Sequence, residues 1–135
     1  MIYNNKSLPQ LIKIAQNWHN KVVRKRDENE RCISCGNSKV TDAGHYIAVG
    51  ACSGLRFDLD NTHGQCGSCN RFKGGNQINY RFGLQDRIGR KRLNKLELKY
   101  RMFKRSPHKW DRFSVIEVIK DRQKQYKSLS KSFIL

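Results

Sequence analysis

Acidic residues are scarce in this chain of 135: 11 Asp and Glu stand against 28 Lys and Arg, a formal net charge of +17. The imbalance points to a polyanionic partner, nucleic acid first and an anionic membrane surface second. Long apolar runs are missing as well. No stretch approaches the ~18 apolar residues that a spanning helix needs, which argues against a membrane protein. The opening MIYNNKSLPQ lacks the apolar run of a signal peptide, so the expected setting is the cytoplasm. Thiols stay reduced there, and the five cysteines read better as metal ligands than as disulfides. Apolar residues make up only 37% of the chain, so an extra staple would help a modest core. There is no internal repeat, low-complexity linker or second-domain boundary. The expected organisation is one domain over residues 1–135.

The positive charge is unevenly spread. Residues 1–31 carry +4, residues 32–70 carry −1 and residues 71–135 carry +14. The cysteine-rich centre is the one segment that is not basic. A site for a divalent cation is impaired by nearby cations, whereas flanks that grip phosphates need them.

Patterning sets the elements. Ser7 and Gln10 have capping-box spacing, and Pro9 suits a first turn. Leu8, Leu11, Ile12, Ala15, Trp18 and Val22 recur at helical intervals, predicting an N-terminal helix over 7–28, with His19 as an interfacial or core-edge histidine. Residues 44–49 and the alternating Leu55-Arg56-Phe57-Asp58-Leu59 predict two strands of a hairpin, looped around 51–54. A short helix is expected after Cys66, interrupted at Gly74-Gly75, then a second from about Gln77 to Ile88. The basic tail, 77–135, reads as helical. Leu93, Leu96, Tyr100 and Phe103 share a face there, Ser106-Pro107 makes a break, and Ser114 with Glu117 suggests a second capping box before a stripe from Val115 to Leu129. Tyr80, Phe82, Trp110 and Phe113 are core aromatics or base-stacking platforms.

Cys32-x-x-Cys35 and Cys66-x-x-Cys69 form two knuckles 30 residues apart. Zinc takes four soft ligands in a tetrahedron, and each knuckle supplies two from one tight turn. Four thiolates leave no open position, so this zinc would be structural. Cys52 has no partner at knuckle spacing and reads as a small loop or core residue.

His45, Asn61 and Asn70 follow in order, the last directly after a zinc cysteine. Phosphodiester hydrolysis needs a water deprotonated near neutral pH, which a neutral imidazole can do. It also needs a divalent cation on oxygen ligands to neutralise the leaving oxygen. His45 then reads as general base, Asn70 as a ligand for Mg²⁺ or Mn²⁺, and Asn61 as the group that positions the base or the hairpin. The order His–Asn–(His or Asn) against a CxxC is the HNH pattern. The fold class it implies is α+β, an HNH ββα-metal core over 32–76 flanked by helices. The structural alternative for the same residues is a zinc-stapled DNA-binding module without catalysis, and a sequence-specific or nicking endonuclease shares the residues too.

A family resemblance rests on CISCG, DAGHY, LRFDLDNTHGQCGSCN, KGGN and RIG, with VVRKRD upstream. These resemble the NinG/Rap recombination nucleases of lambdoid phages, over most of residues 8–90. The resemblance implies a structure-specific endonuclease, a hydrolase acting on branched DNA such as Holliday junctions and D-loops, with a homodimer to place two cuts. It is also similar, more broadly, to the endonuclease VII resolvases. Those carry an Asp immediately before the base histidine, where this chain has Gly44. Asp42 is therefore the first candidate for a second cation ligand and His63 the other. Lys73, one turn beyond Asn70, is placed to touch a phosphate. Arg71, Arg81, Arg87, Arg90, Lys91 and Arg92 are the further DNA-gripping candidates.

Overall fold

The Ser7 hydroxyl accepts a hydrogen bond from the Gln10 backbone N–H, and the Gln10 side chain accepts one from the Ser7 N–H. That reciprocal box, with Pro9 in the first turn, starts helix α1, Leu8–Arg26, in a computed structural model that describes residues 3–131. Arg24, Lys25 and Arg26 occupy its last turn, where cations complement the helix dipole. Leu11, Ala15, Val22 and Val23 form its buried stripe. His19 lies in the same stripe and is fully buried, deeper than the core-edge position expected from sequence.

α1 packs on the last helix, α3, Arg112–Lys131. Leu11, Ala15, Val115, Ile119 and Phe57 are buried together there, each contributing on the order of 1.5–3 kcal/mol for the larger side chains. The start of α3 corrects the sequence expectation. Asp111 accepts from the Ser114 N–H and its own N–H donates to the Ser114 hydroxyl, so Asp111 closes the box and Ser114 lies inside the helix.

A second correction concerns the sheet. Two short antiparallel strands are present, β1, Asp42–His45, and β2, Thr62–Gln65, with Gly44 opposite His63 and His45 opposite Thr62. Residues 55–59, expected as the second strand, instead border two 3₁₀ turns, Ser53–Leu55 and Leu59–Asn61. Their alternation has another cause. Leu55 is buried against Ile33, Tyr80 and Leu84, whereas Phe57 is buried in the α1–α3 cluster. One side chain serves each of two cores, which gives period two without a strand.

After Cys66 the chain makes a π-helical turn, Ser68–Phe72, and stops at Gly74 and Gly75, both at positive φ. Helix α2, Gln77–Arg105, follows, broken at Gly89 (φ 85°, ψ 161°) just after Ile88. Its Tyr80, Leu84, Leu93 and Leu96 bury against Ile33, Cys52 and Leu55, with Tyr100 and Phe103 packed beside them. The helix ends before Pro107, as expected. The architecture is α+β: helices around a small sheet. No helix among the described residues is long and apolar enough to cross a membrane.

Candidate functional site

Each knuckle is folded by its own backbone. The Gly36 N–H donates to the Cys32 carbonyl at 2.9 Å, and Gly36 takes φ +68°, a conformation that L side chains rarely adopt. The Asn70 N–H returns to the Cys66 carbonyl at 3.0 Å. Tertiary contacts then bring the knuckles together. Ile33 N–H donates to Gly64 of β2 at 2.9 Å. The thiol sulfurs of Cys32, Cys35, Cys66 and Cys69 all lie within 4.8 Å of one another, with Cys35 and Cys66 at 3.9 Å. Tetrahedral zinc with Zn–S bonds of ~2.3 Å has sulfur–sulfur edges of roughly 3.8 Å, so the donor set and its size suit a zinc ion. The Asn76 amide and the Cys69 N–H each donate to a sulfur at 3.4 Å, contacts that favour thiolates. Cys52 stands apart in the apolar core.

Three histidines surround the ribbon, and hydrogen bonding fixes the tautomer of each. His45 Nε2 lies 3.0 Å from the Arg56 carbonyl, which can only accept, so Nε2 carries the proton and Nδ1 keeps a lone pair. His63 Nε2 likewise meets the Asp60 carbonyl at 3.1 Å, but its Nδ1 accepts from Arg26 at 3.1 Å. His19 Nδ1 accepts from Arg122 at 3.0 Å and its Nε2 donates to the Thr62 hydroxyl at 2.9 Å. Among the described residues, only the His45 Nδ1 of these three has no protein partner. Its ring stacks on His19, centroids 6.2 Å apart, and lines a cavity of about 310 Å³ shared with Asn20, Asn70, Gly74 and Gln77.

All three rings are held neutral. Burial lowers the His45 pKa below its ordinary 6.5, partly opposed by the Arg56 carbonyl. Burial and the Arg122 charge push His19 down to about 3. Burial and Arg26 push His63 down to about 4.

Asp42 and Asn70, 28 residues apart, are brought together. The Asn70 amide donates to Asp42 Oδ2 at 3.0 Å, and Arg71 Nε donates to the same oxygen at 3.1 Å. Burial alone would raise the Asp42 pKa, but the hydrogen bonds from Asn70 and Thr41 and the Arg71 guanidinium hold the carboxyl below its usual range. An ionised carboxylate and a neighbouring carboxamide are hard oxygen donors of the kind Mg²⁺ and Mn²⁺ accept. His63 is not brought to this pair. It packs instead against Tyr80, Arg26 and Asp27 with 3% exposure.

The glycine before His45 has a steric reason. A Cβ on Gly44 would lie 1.7 Å from Gln65 Oε1, and the Gly44 carbonyl accepts from the buried Tyr80 hydroxyl at 2.7 Å. No acid fits there.

Asn61 is fully buried and touches no cavity group. Its amide oxygen accepts from the Ile47 N–H at 2.8 Å, and its amide nitrogen donates to Ile47 and Leu55 carbonyls at 3.0 and 3.2 Å. It thus closes the 46–61 loop that follows His45. Residues that sequence reasoning missed complete the frame: Arg56, which orients His45, Arg122, which fixes His19, and Asp27, whose carboxylate accepts from the Gly64 N–H at 2.8 Å. Asp27 closes the VVRKRD run; nothing local in the sequence marks Arg56 or Arg122.

The basic candidates divide in two. Arg71, Arg81 and Arg92 pair with Asp42, Glu97 and Asp60, and Arg87 lies beside Asp27 and Glu30. Lys73, Arg90 and Lys91 are exposed, with no carboxylate partner among the described residues. Of the aromatics, Tyr80 is core, Trp110 is half-buried and Phe82 and Phe113 are exposed.

The profile of one family, described as "Bacteriophage Lambda NinG protein", matches residues 3–132. The chain is 42% identical over 101 residues to "Protein ninG" of Escherichia phage 933W, covering 73% of this chain and 48% of that protein. It is 37% identical over 123 residues to the Salmonella phage P22 protein of the same name, covering 90% of this chain and 58% of the relative. To that of Escherichia phage lambda it is 41% identical over 101 residues, covering 73% and 47%. The chain spans about half the length of the curated relatives it matches. No solved structure shows a significant match.

Proposed function

The chain belongs to the NinG family of lambdoid phages, and from that premise and the site's geometry we propose that it is a metal-dependent, structure-specific DNA endonuclease that cuts branched DNA in recombination. The observation that carries the reading is the unclaimed His45 Nδ1 lone pair, on a ring that lines the cavity Asn70 also lines.

The proposal takes β1, β2 and the Ser68–Phe72 turn as an HNH ββα-metal unit, similar to the endonuclease VII resolvases. In it, His45 Nδ1 removes a proton from a water that attacks the scissile phosphate. The Arg56 carbonyl holds the imidazole in the required tautomer and stabilises the imidazolium that forms. Asp42 and Asn70 are the residues that would hold the catalytic cation. Mg²⁺ or Mn²⁺ held there would neutralise charge developing on the leaving oxygen. Asn61 acts at one remove, by fixing the loop between His45 and Arg56. Zinc on the four cysteines holds the unit together and leaves chemistry to the other cation. Lys73, Arg90 and Lys91 supply phosphate contacts and the net +17 supplies attraction. Two symmetric cuts at a junction require two copies of the site, which a homodimer provides.

The test is cleavage of a four-way junction and a linear duplex, with Mg²⁺, with Mn²⁺ and with no divalent cation, by wild type and His45→Ala. Junction cleavage that needs the cation and is lost in the variant is expected. Binding without cleavage would reduce the protein to a zinc-stapled DNA-binding module. Equal cutting of linear DNA would make it a sequence-specific or nicking enzyme.

A further inference from the structure

Large apolar side chains are rarely left in water without a use, and a cluster of them beside a functional cavity points to an interaction surface. Phe72, Ile78 and Phe82 are 82, 77 and 63% exposed in a chain with mean hydropathy of −0.80. Ile78 and Phe82 are four residues apart on α2 and so share one helix face. Phe72 ends the π-helical turn that carries Asn70. Between Phe72 and Ile78 lie Gly74, Gly75 and Gln77, all of which line the His45 cavity. The three side chains therefore flank, along one short stretch of chain, the residues that line the candidate active site.

The rest of α2's first turns have structural work. Tyr80 and Leu84 face the core, and Arg81 is held by Glu97. Ile78 and Phe82 have none. Lys73 follows Phe72 with no carboxylate partner among the described residues, Arg71 before it pairs with Asp42, and Asp86 is the acid one turn beyond Phe82.

We propose that Phe72, Ile78 and Phe82 form a stacking platform for unpaired or unstacked bases at a DNA branch point, setting the preference for branched over linear DNA. This rests on the endonuclease reading and names how its substrate is recognised. Aromatic faces stack on any base, and adjacent cations take the phosphates, so sequence need not matter. Duplex DNA keeps its bases stacked inside and offers such a platform little; a branch point exposes them. A second copy of the chain fits less well. Packing two such faces together would bring Arg71 and Lys73 of each against the other. Three side chains would also bury roughly 400–500 Å², short of the ~800 Å² per partner of a stable interface.

The experiment compares wild type, the Phe72→Ala/Phe82→Ala double variant and Phe82→Trp. Anisotropy without added divalent cation would give affinities for a four-way junction and for a linear duplex at one salt concentration. The junction carries 2-aminopurine at the branch. Wild type is expected to prefer the junction and to change the 2-aminopurine emission. The double variant should lose about tenfold of that preference and the emission change, the size of one base–aromatic stack, while duplex affinity and melting temperature hold; Phe82→Trp should keep both. Unchanged preference and emission in the double variant would overturn the proposal. So would a loss that sedimentation traces to dissociation of a dimer. If wild type cleaves no DNA but the double variant still loses its preference, the catalytic reading fails and this one stands. If wild type cleaves DNA without preferring the branch, the reverse holds.

Discussion

His45 and His63 sit one register step apart on the ribbon and carry the same tautomer, yet only His45 keeps an unclaimed Nδ1 lone pair. Each donates Nε2–H to a backbone carbonyl, Arg56 for His45 and Asp60 for His63. The difference is the face. His63 points under the ribbon, where Arg26 takes its lone pair and Asp27 lies 3.8 Å away. His45 is on the side that stacks on His19 and lines the cavity. A histidine's role here is set by who claims Nδ1, and strand alternation decides that.

The most drastic way to break this comparison is to remove the frame common to both. Cys69→Ser takes one thiolate from the cysteine cluster and should abolish zinc retention and cooperative folding, since structural zinc in small domains contributes on the order of 10 kcal/mol. Atomic absorption and a thermal melt measure this; a variant that melts like wild type would show the cluster is not a staple. Next, His45→Ala should slow junction cleavage by at least ~100-fold with little change in melting temperature. His63→Gln should do the opposite, losing roughly 1–3 kcal/mol of stability in urea and keeping its rate per folded molecule. Single-turnover cleavage beside denaturation curves decides it, and a folded but inactive His63→Gln would invert the two roles. Asp42→Asn should raise the Mg²⁺ concentration for half-maximal cleavage by about tenfold, read from a Mg²⁺ titration.

The smallest effect is in pH. The folded His63 pKa is about 4, below the ordinary 6.5, because burial and Arg26 disfavour the cation. The neutral ring's contribution is thus complete above pH 6.5 and lost as pH falls towards 4. Urea midpoints from pH 7 to 4 should fall more steeply for wild type than for His63→Gln; parallel curves would remove His63 from the acid response. The His45 pKa is also lowered, so the acid limb of cleavage should lie below pH 6.5.

Helix α1 and the bends of the tail were legible because their signals are local: a capping box at Ser7, a stripe of period 3.6, a helix placed to end at Ile88 and proline at 107. The cysteine spacing announced its cluster for the same reason. β2 was not legible. Thr62-His63-Gly64-Gln65 is polar and carries no strand pattern, yet all four residues are buried. One polar group on each is met by distant partners: Thr62 by His19, His63 by Arg26, the Gly64 N–H by Asp27 and the Gln65 amide nitrogen by Ser34 and Gly75. No pattern within a window of sequence carries that information. Gly44 shows the same limit. It reads as a missing ligand, whereas a side chain there would collide with the buried Gln65 side chain.

The contact between Arg122 and His19 spans 103 residues. During synthesis, at about 5–20 residues per second, the ribosome needs roughly five to twenty seconds to go from one to the other. Over that interval α1, both knuckles and both strands can emerge while the His19 Nδ1 still lacks its donor and α1 still lacks α3 to pack against. Thr62 can hold Nε2 of the ring behind His45 early, but that ring's Nδ1 is fastened only when the closing helix arrives. An unfinished chain therefore carries His45, Asp42, Asn70 and the four cysteines before the helix that completes the His19 contact has been made, so the order of translation places the packing of α1 on α3 last.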